Sequence, residues 1–190
     1  MTNASRACLY NTQELVQVLD DMAIRSASHL SRQHPLVVLG IRRRGAPLAD
    51  LLSERLQTQC GFPKPLRWDV TLKRYADDLT LLHPETKLAE ESRPPDFTLA
   101  GHAVLLVDDV LYTGHSLLRL VAHLSAQRPV EIRTACLVDR GCTSLPVHAD
   151  VVGLSLQVAP TDIIECHVPP YEAELKIELV QPDRARWTTT

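Results

Sequence analysis

The sequence predicts an α/β fold, an open and mostly parallel sheet flanked by helices. Two strand–helix–strand units support this prediction. Each unit begins with a short apolar run typical of a buried parallel strand, at 36–41 and at 103–107, and an amphipathic helix follows each run. Right-handed crossovers would place these helices on both faces of the sheet, and ligands would then bind outside the carboxyl ends of the strands.

The composition is that of a folded globular chain, with 45% hydrophobic and 23% charged residues in a length of 190. The net charge of −3 argues against a globally basic nucleic-acid or membrane binder. No stretch approaches the roughly 18 uninterrupted apolar residues of a membrane span. The 5 cysteines are scattered and form no CxxC pair, which predicts reduced thiols in a cytoplasmic protein. We expect a single domain over residues 1–190.

The first half of the chain contains the first unit. Asn11 followed by Glu14 is a capping-box pattern, which predicts that a helix starts there, with Val16 on its apolar stripe. The strand at 36–41 leads through a charged turn into a helix that opens at Pro47. Apolar and polar residues then alternate over 66–72, which predicts a strand with one wet or edge face.

The second half begins with a segment that lacks periodicity. Prolines and mixed charges from 73 to about 101 predict a long flexible loop, and a loop of that length in a compact domain is typically functional. Regular structure is predicted again after it. The expected elements are a strand at 103–107, a helix at 116–128, and strands at 132–138, 151–154 and 174–180.

The most informative stretch is 104–116, VLLVDDVLYTGHS, where a buried strand leads into a helix. A glycine-containing turn at a helix N-terminus presents N–H groups to a phosphate, so Tyr112 to Ser116 can hold one phosphate. Asp108 and Asp109 would repel that phosphate. They are therefore expected at the other end of the ligand, as acceptors for two vicinal hydroxyls or near a metal. A ribose 5-phosphate satisfies both demands.

This stretch resembles the phosphoribosyl-diphosphate signature of the type I phosphoribosyltransferases. Other segments resemble one branch of them, the PyrR family, which combines uracil phosphoribosyltransferase activity with RNA-binding attenuation of pyrimidine genes. The similarity covers about 10–158, leaving 155–190 as a divergent C-terminal segment. The segments that carry it, in the family's order, are 38–45, 69–72, 77–79, 107–114, 137–141 and 145–150.

The resemblance implies a fold with a long active-site loop at about 73–101 and a small base-binding hood. It also implies Mg²⁺, associated indirectly with the two aspartates, and a homodimer or higher homo-oligomer. The site residues that it implies are Asp108, Asp109 and Arg74 for catalysis; Val110, Leu111, Tyr112, Thr113, Gly114, His115 and Ser116 for the 5-phosphate; Arg42, Arg43, Arg44 and Gly45 for the diphosphate; and Asp139, Arg140 and Gly141 for the base.

Local charge supports the diphosphate assignment. Residues 41–74 contain eight Lys or Arg against three Asp or Glu, a local +5 in a chain of net −3. A diphosphate leaving group requires such a concentration of positive charge, and arginine can bind it bidentately. Around Arg74 the sequence departs from the family pattern, since Lys73-Arg74-Tyr75-Ala76 stands where the family has Tyr-Arg, two residues fewer.

The base is left open by departures from the family pattern. Tyr112 stands where purine-type relatives carry an aspartate, which favours uracil over a purine. However, Cys142-Thr143-Ser144 replaces the usual His-Arg-Glu, and Gly153-Leu154 replaces Gly-Lys. A phosphoribosyltransferase for another base therefore remains an alternative. Cys142 is not expected to be a nucleophile, since phosphoribosyl transfer needs no covalent enzyme intermediate.

RNA binding is the second class of function. PyrR-like regulators use basic residues of the first helix and of the Leu-Pro turn to contact RNA. Here the first helix contains Asp20 and Asp21, and the turn contains Thr143 and His148. RNA binding is therefore not expected. An RNA-binding regulator of pyrimidine genes that senses nucleotides with weak or no catalysis remains the alternative to an enzyme.

Overall fold

The computed structural model describes residues 4–72, 88–91, 93, 94 and 96–182. Among the described residues, no helix has the length and apolar character needed to cross a membrane. The elements form two sheets and three helices. In chain order they are β1 (Ser5–Tyr10), α1 (Thr12–His29), β2 (Leu36–Ile41), α2 (Gly45–Thr58), β3 (Leu66–Leu72), β4 (Leu88–Glu91), β5 (Ala103–Leu111), α3 (His115–Ser125), β6 (Glu131–Asp139), β7 (Val151–Ser155), β8 (Ile163–His167) and β9 (Lys176–Gln181).

The larger sheet has the strand order β4-β3-β2-β5-β6-β7. All neighbours in it are parallel except β4, which pairs antiparallel with β3. From β2 the chain moves outward to β3, and from β5 it moves outward in the opposite direction to β6. The strand order therefore reverses between β2 and β5, which is the position where open α/β sheets bind ligands. The predicted α/β fold class is confirmed.

The helices cover both faces of this sheet. Leu19 of α1 and Leu52 of α2 are fully buried in one core, and Leu120 of α3 is fully buried in the other. The predicted capping box is present, since the Asn11 side chain accepts from the N–H groups of Gln13 and Glu14. Val16 lies at the margin of the buried face of α1, with 39% of its surface exposed, contrary to the prediction.

The smaller sheet, called the hood here, has the order β1-β9-β8 and is antiparallel throughout. Ile164, Cys166 and Ile177 from its inner face are buried and belong to the same core as α1 and α2. The strand predicted at 174–180 corresponds to β9, whereas β1 and β8 were not predicted. The pairing of β1 with β9 joins segments near the two ends of the chain.

Several predicted boundaries are wrong. β4 lies inside the segment predicted as a loop over 73–101, where it pairs with the end of β3. β5 continues beyond 107 because it keeps its pairing with β6 as far as Leu111, opposite Asp139. The helix expected to open at Pro47 begins at Gly45, and the helix expected to reach 128 ends at Ser125.

Candidate active site

The carboxyl ends of β2, β5 and β6 are neighbours in the sheet, and three of the predicted groups of residues follow them. Residues 42–45, called the arginine turn here, connect β2 to α2. Residues 110–116, called the phosphate loop, connect β5 to α3. Residues 139–141 end β6. The sheet topology thus brings together, at one edge, residues that are up to about a hundred positions apart in the sequence.

Gly45 lies in close contact with the end of β5. A Cβ atom on this glycine would be 2.6 Å from the carbonyl oxygen of Val107 and 3.1 Å from the Cα of Asp108. Both partners are backbone atoms of a central strand and cannot move aside easily. The missing side chain at Gly45 therefore allows α2 to start directly beside the aspartate pair.

The three arginines of the turn have different contacts. The peptide bond between Arg42 and Arg43 is cis. Arg42 donates to Asp69 at 3.3 Å, and the guanidinium of Arg43 lies 5.2 Å from the ring centroid of Tyr171. Arg44 is half-buried and donates two hydrogen bonds to Glu172.

The pKa of Arg44 is raised, chiefly by its hydrogen bond to Glu172, with a smaller electrostatic contribution from Asp109. Asp109 therefore lies within electrostatic reach of the arginine turn. This places a permanently positive group of the predicted diphosphate site beside a negative group of the predicted ribose site.

Asp108 and Asp109 are half-buried on the last part of β5. The N–H of Asp109 donates to a carboxylate oxygen of Asp108 at 2.9 Å. The Sγ of Cys166 in the hood lies 4.0 Å from the carbonyl oxygen of Asp109, and burial together with Asp109 raises the pKa of that thiol. The aspartate pair consequently lies between the arginine turn and the hood.

The phosphate loop ends at the N-terminus of α3. Gly114 is the N-cap residue with a φ of 86°, a left-handed conformation that glycine adopts without strain. No side chain caps the first turn of α3, so its N–H groups are available to an anion. His115 is exposed. The backbone of Ser144 donates to the carbonyl oxygen of Thr113 at 3.1 Å, which braces the loop.

The segment 139–141 is held by local hydrogen bonds. The N–H of Gly141 donates to the Asp139 carboxylate at 2.7 Å, and the N–H of Arg140 donates to the carbonyl oxygen of Leu111 at 3.2 Å. Arg140 is buried, and its guanidinium lies 4.5 Å from the ring centroid of Tyr112. The Arg140 side chain thus links the predicted base segment to the phosphate loop.

One predicted site residue lies outside the part of the chain that the structure describes, and two residues observed at the site were not predicted. Arg74 lies outside the described residues. Tyr171 and Glu172, by contrast, contact the arginine turn although they were not predicted as site residues. The only local signal was the run Pro169-Pro170-Tyr171-Glu172, because a double proline fixes the course of a segment.

Comparisons with known proteins agree with this geometry. Residues 5–174 match the family model described as the phosphoribosyl transferase domain. A protein of Elusimicrobium minutum named "Bifunctional protein PyrR" is 35% identical over 169 residues, which cover 88% of this chain and 93% of the relative. The chain belongs to the PyrR family of phosphoribosyltransferases. Proteins of the same name from Deinococcus radiodurans and Thermus aquaticus are 33% and 34% identical over 182 residues, with 95% of this chain covered in both cases.

Solved structures show the same fold at lower sequence identity. The hypoxanthine phosphoribosyltransferase of Trypanosoma cruzi superposes with a TM-score of 0.70 at 21% identity, over 93% of this chain and 97% of the other. A hypoxanthine phosphoribosyltransferase of Staphylococcus aureus gives a TM-score of 0.64 at 16% identity, over 83% and 80% of the two chains. The predicted type I phosphoribosyltransferase fold is confirmed, and the chain is a PyrR-like phosphoribosyltransferase.

The close contact at Gly45 leads to a testable prediction. Gly45→Ala should weaken binding of phosphoribosyl diphosphate by at least about tenfold, because the new methyl group forces the arginine turn away from Asp108. Titration calorimetry with the Mg²⁺ complex of phosphoribosyl diphosphate measures this effect. Ala49→Gly, one turn further along α2, is the control, since it costs about 1 kcal/mol of helix stability without crowding β5. Equal affinities for the two variants would contradict the prediction.

Proposed function

We propose that the chain transfers ribose 5-phosphate from phosphoribosyl diphosphate to uracil, giving UMP and diphosphate. The proposal rests on one observation, namely that three groups of residues lie together where the strand order reverses. The arginine turn, the aspartate pair and the phosphate loop are adjacent there, in the order that a sugar with a diphosphate at one end and a phosphate at the other requires.

The two ends of the substrate are proposed to bind to the two loops. The first turn of α3 and the backbone of 112–116 would hold the 5-phosphate, because N–H groups and the helix dipole favour an anion. The arginine turn would hold the diphosphate, with Arg44 as the half-buried cation within electrostatic reach of Asp109. Arg74, proposed to act from the long loop, would add a further positive charge once substrate is bound.

Asp108 and Asp109 are proposed to accept hydrogen bonds from the two ribose hydroxyls. As diphosphate leaves C1 and the base nitrogen attacks it, positive charge develops on the sugar. Carboxylates fixed beside the ribose stabilise that charge more than they stabilise the neutral ground state. Asp109 is half-buried near Arg44. Its charge is therefore screened less than a charge surrounded by water.

The residues present also fit a magnesium ion. Carboxylate and phosphate oxygens are the ligands that Mg²⁺ prefers, and Asp108 and Asp109, which would be associated with the ion indirectly, supply carboxylates at the edge where the diphosphate is proposed to lie. When bound, the ion would neutralise part of the charge on the leaving group. Among the described residues, Glu165, His167 and Glu178 also form a cluster, but Arg6 and Lys176 already pair with its carboxylates.

Uracil is proposed as the base because of Tyr112. This residue stands where purine-type relatives carry an aspartate, and it is held against the guanidinium of Arg140. The backbone carbonyl groups of Arg140 and Gly141 could accept hydrogen bonds from the edge of a pyrimidine, whereas the N–H groups of these two residues already donate within the protein. The names of the relatives support the same branch of the family.

A diphosphate-release assay with Mg²⁺ and phosphoribosyl diphosphate tests the base. Uracil, orotate, hypoxanthine, guanine and adenine are compared, and the double variant Asp108→Asn/Asp109→Asn is the blank. We expect turnover with uracil alone. Turnover with a purine would overturn the proposed base, and turnover with none despite intact binding of the sugar diphosphate would favour a nucleotide sensor.

The aspartate charge can be tested separately. Asp109→Asn should lower kcat by about 100-fold while the Kd for UMP changes by less than about threefold, because the charge is needed mainly in the transition state. Steady-state kinetics and UMP titration provide the two values. Asp21→Asn, the same change on the exposed surface of α1, should alter neither. Equal losses in kcat and in UMP affinity would refute the proposed role.

The resemblance to the PyrR family makes RNA-dependent regulation the second candidate function, but the surface of α1 does not favour it. Asp20 pairs with Arg55 and Asp21 pairs with Arg25, each at 2.7 Å. The hydrogen bond from Arg55 lowers the pKa of Asp20, so the acid remains charged at neutral pH. Two arginines that could contact RNA phosphates are therefore neutralised by acids of the same surface.

We accordingly expect no sequence-specific RNA binding. In a gel-shift titration at physiological salt, the chain should bind a pyrimidine-leader RNA no more tightly than a shuffled RNA of equal length. Asp20→Asn/Asp21→Asn should strengthen binding of both RNAs alike, since it frees positive charge without adding base contacts. Submicromolar binding confined to the leader RNA would establish the regulator instead.

The cellular location and the assembly of the chain are also part of this proposal. All five cysteines are free thiols, which supports a reducing, cytoplasmic environment. A homodimer or higher homo-oligomer is proposed from the family resemblance, and sedimentation equilibrium would measure it directly.

A further inference from the structure

The segment 168–172, which links β8 to β9 in the hood, contacts two of the three arginines of the arginine turn. Its Tyr171 ring lies under the guanidinium of Arg43 at 5.2 Å. Its Glu172 carboxylate accepts from Nη2 of Arg44 at 2.7 Å and from Nε at 3.1 Å, both at the same oxygen. The hood is therefore attached to the proposed diphosphate site as well as lying beside the aspartate pair.

Glu172 is held in position by its own segment. Its second carboxylate oxygen accepts from the N–H of Val168 at 2.9 Å, and Val168 is fully buried. The backbone N–H groups of Tyr171 and Glu172 both donate to the carbonyl oxygen of Val168, at 3.1 and 3.3 Å. The carboxylate is thus fixed by contacts that do not involve Arg44.

The contact with Glu172 leaves some N–H donors of the Arg44 guanidinium for another anion. A guanidinium has five N–H donors in a rigid plane, and Glu172 engages one edge, formed by Nε and Nη2. The donors on Nη1 are not used by this contact. When an arginine is hydrogen-bonded along one edge to a fixed carboxylate, the plane of its guanidinium is fixed. The guanidinium of a flexible surface arginine has no such fixed plane.

Both partners are charged at neutral pH. Burial alone would raise the pKa of Glu172, but the hydrogen bonds from Arg44 and from Val168 outweigh burial and lower it. The ion pair is half-buried, with 35% of the Arg44 side chain and 20% of the Glu172 side chain exposed. It is therefore present before substrate arrives and is screened less than a surface pair.

We propose that Glu172 is a positioning residue for phosphoribosyl diphosphate, orienting Arg44 so that the remaining donors of its guanidinium meet the diphosphate. This inference rests on the proposed function, and specifically on the binding of diphosphate by Arg44. It makes the hood a part of the diphosphate site, in addition to its expected place near the base. UMP lacks the diphosphate, so Glu172 should matter for the substrate and hardly at all for this product.

The test compares two ligands on the full chain. Glu172→Ala should raise the Kd of Mg²⁺-phosphoribosyl diphosphate about tenfold, through loss of preorganisation, while the Kd of UMP changes by less than about twofold. Glu172→Gln, which keeps one acceptor oxygen, should give an intermediate Kd. Glu174→Gln removes the same charge from an exposed position of the same connection and should change neither value. Titration calorimetry measures all of these.

The Arg44→Ala background separates this inference from the proposed function. There, Glu172→Ala should cause no further loss of phosphoribosyl diphosphate affinity, because the group that it orients is gone. If Arg44→Ala itself leaves this affinity unchanged, the proposed role of Arg44 fails and the inference with it.

If Arg44→Ala weakens binding, three results for Glu172→Ala alone would overturn the inference and leave the proposed function intact. Tighter binding would mean that the carboxylate competes with the diphosphate. Unchanged binding would mean that Arg44 needs no orienting partner. Equal losses for phosphoribosyl diphosphate and UMP would mean that the hood has been disrupted as a whole.

Discussion

The structure of the site depends on the close approach of α2 to β5. The first residue of α2, Gly45, touches the backbone at Val107 and Asp108, and any side chain there would overlap a central strand. This contact occurs where the strand order reverses, so two loops that diverge from neighbouring strands are brought within reach of one ligand. The arginine turn and the aspartate pair carry opposite charges, and in the proposed function the turn would accept an anionic leaving group while the aspartates face a sugar that becomes positive.

The hood lies beside this site and contacts it. Its buried residues belong to the core formed with α1 and α2, so it is part of the packed structure and not a separate appendage. From there it reaches the site at two points, through Cys166 near the backbone of Asp109 and through Glu172 at Arg44. Because both contacts come from β8 and the connection that follows it, a shift of this strand would affect the ribose and diphosphate ends of the site together.

The distribution of charge differs between the proposed site and the surfaces of α1 and the hood. At the site, Arg44 is paired with one carboxylate along one edge only, and the first turn of α3 has no side-chain cap. On α1 and in the hood cations are paired with acids, as in the pairs of Arg25 with Asp21 and of Arg6 with Glu165. A net charge of −3 therefore coexists with a local anion site, while an extended basic surface of the kind that RNA requires is not formed by these arginines.

The sequence by itself determined the α/β class and the capping box of α1, and it predicted the residues of the phosphate loop and the arginine turn, which the structure brings to one edge of the sheet. These depend on local patterns: apolar runs, turn residues and the spacing of acids and glycines within a few positions. Only the tertiary structure decided that β4 occupies part of the expected loop, that β1 pairs with β9, and that Glu172 meets Arg44. These features depend on pairing between segments distant in sequence, and short half-exposed strands such as β1 and β8 have no periodicity strong enough to predict their partners.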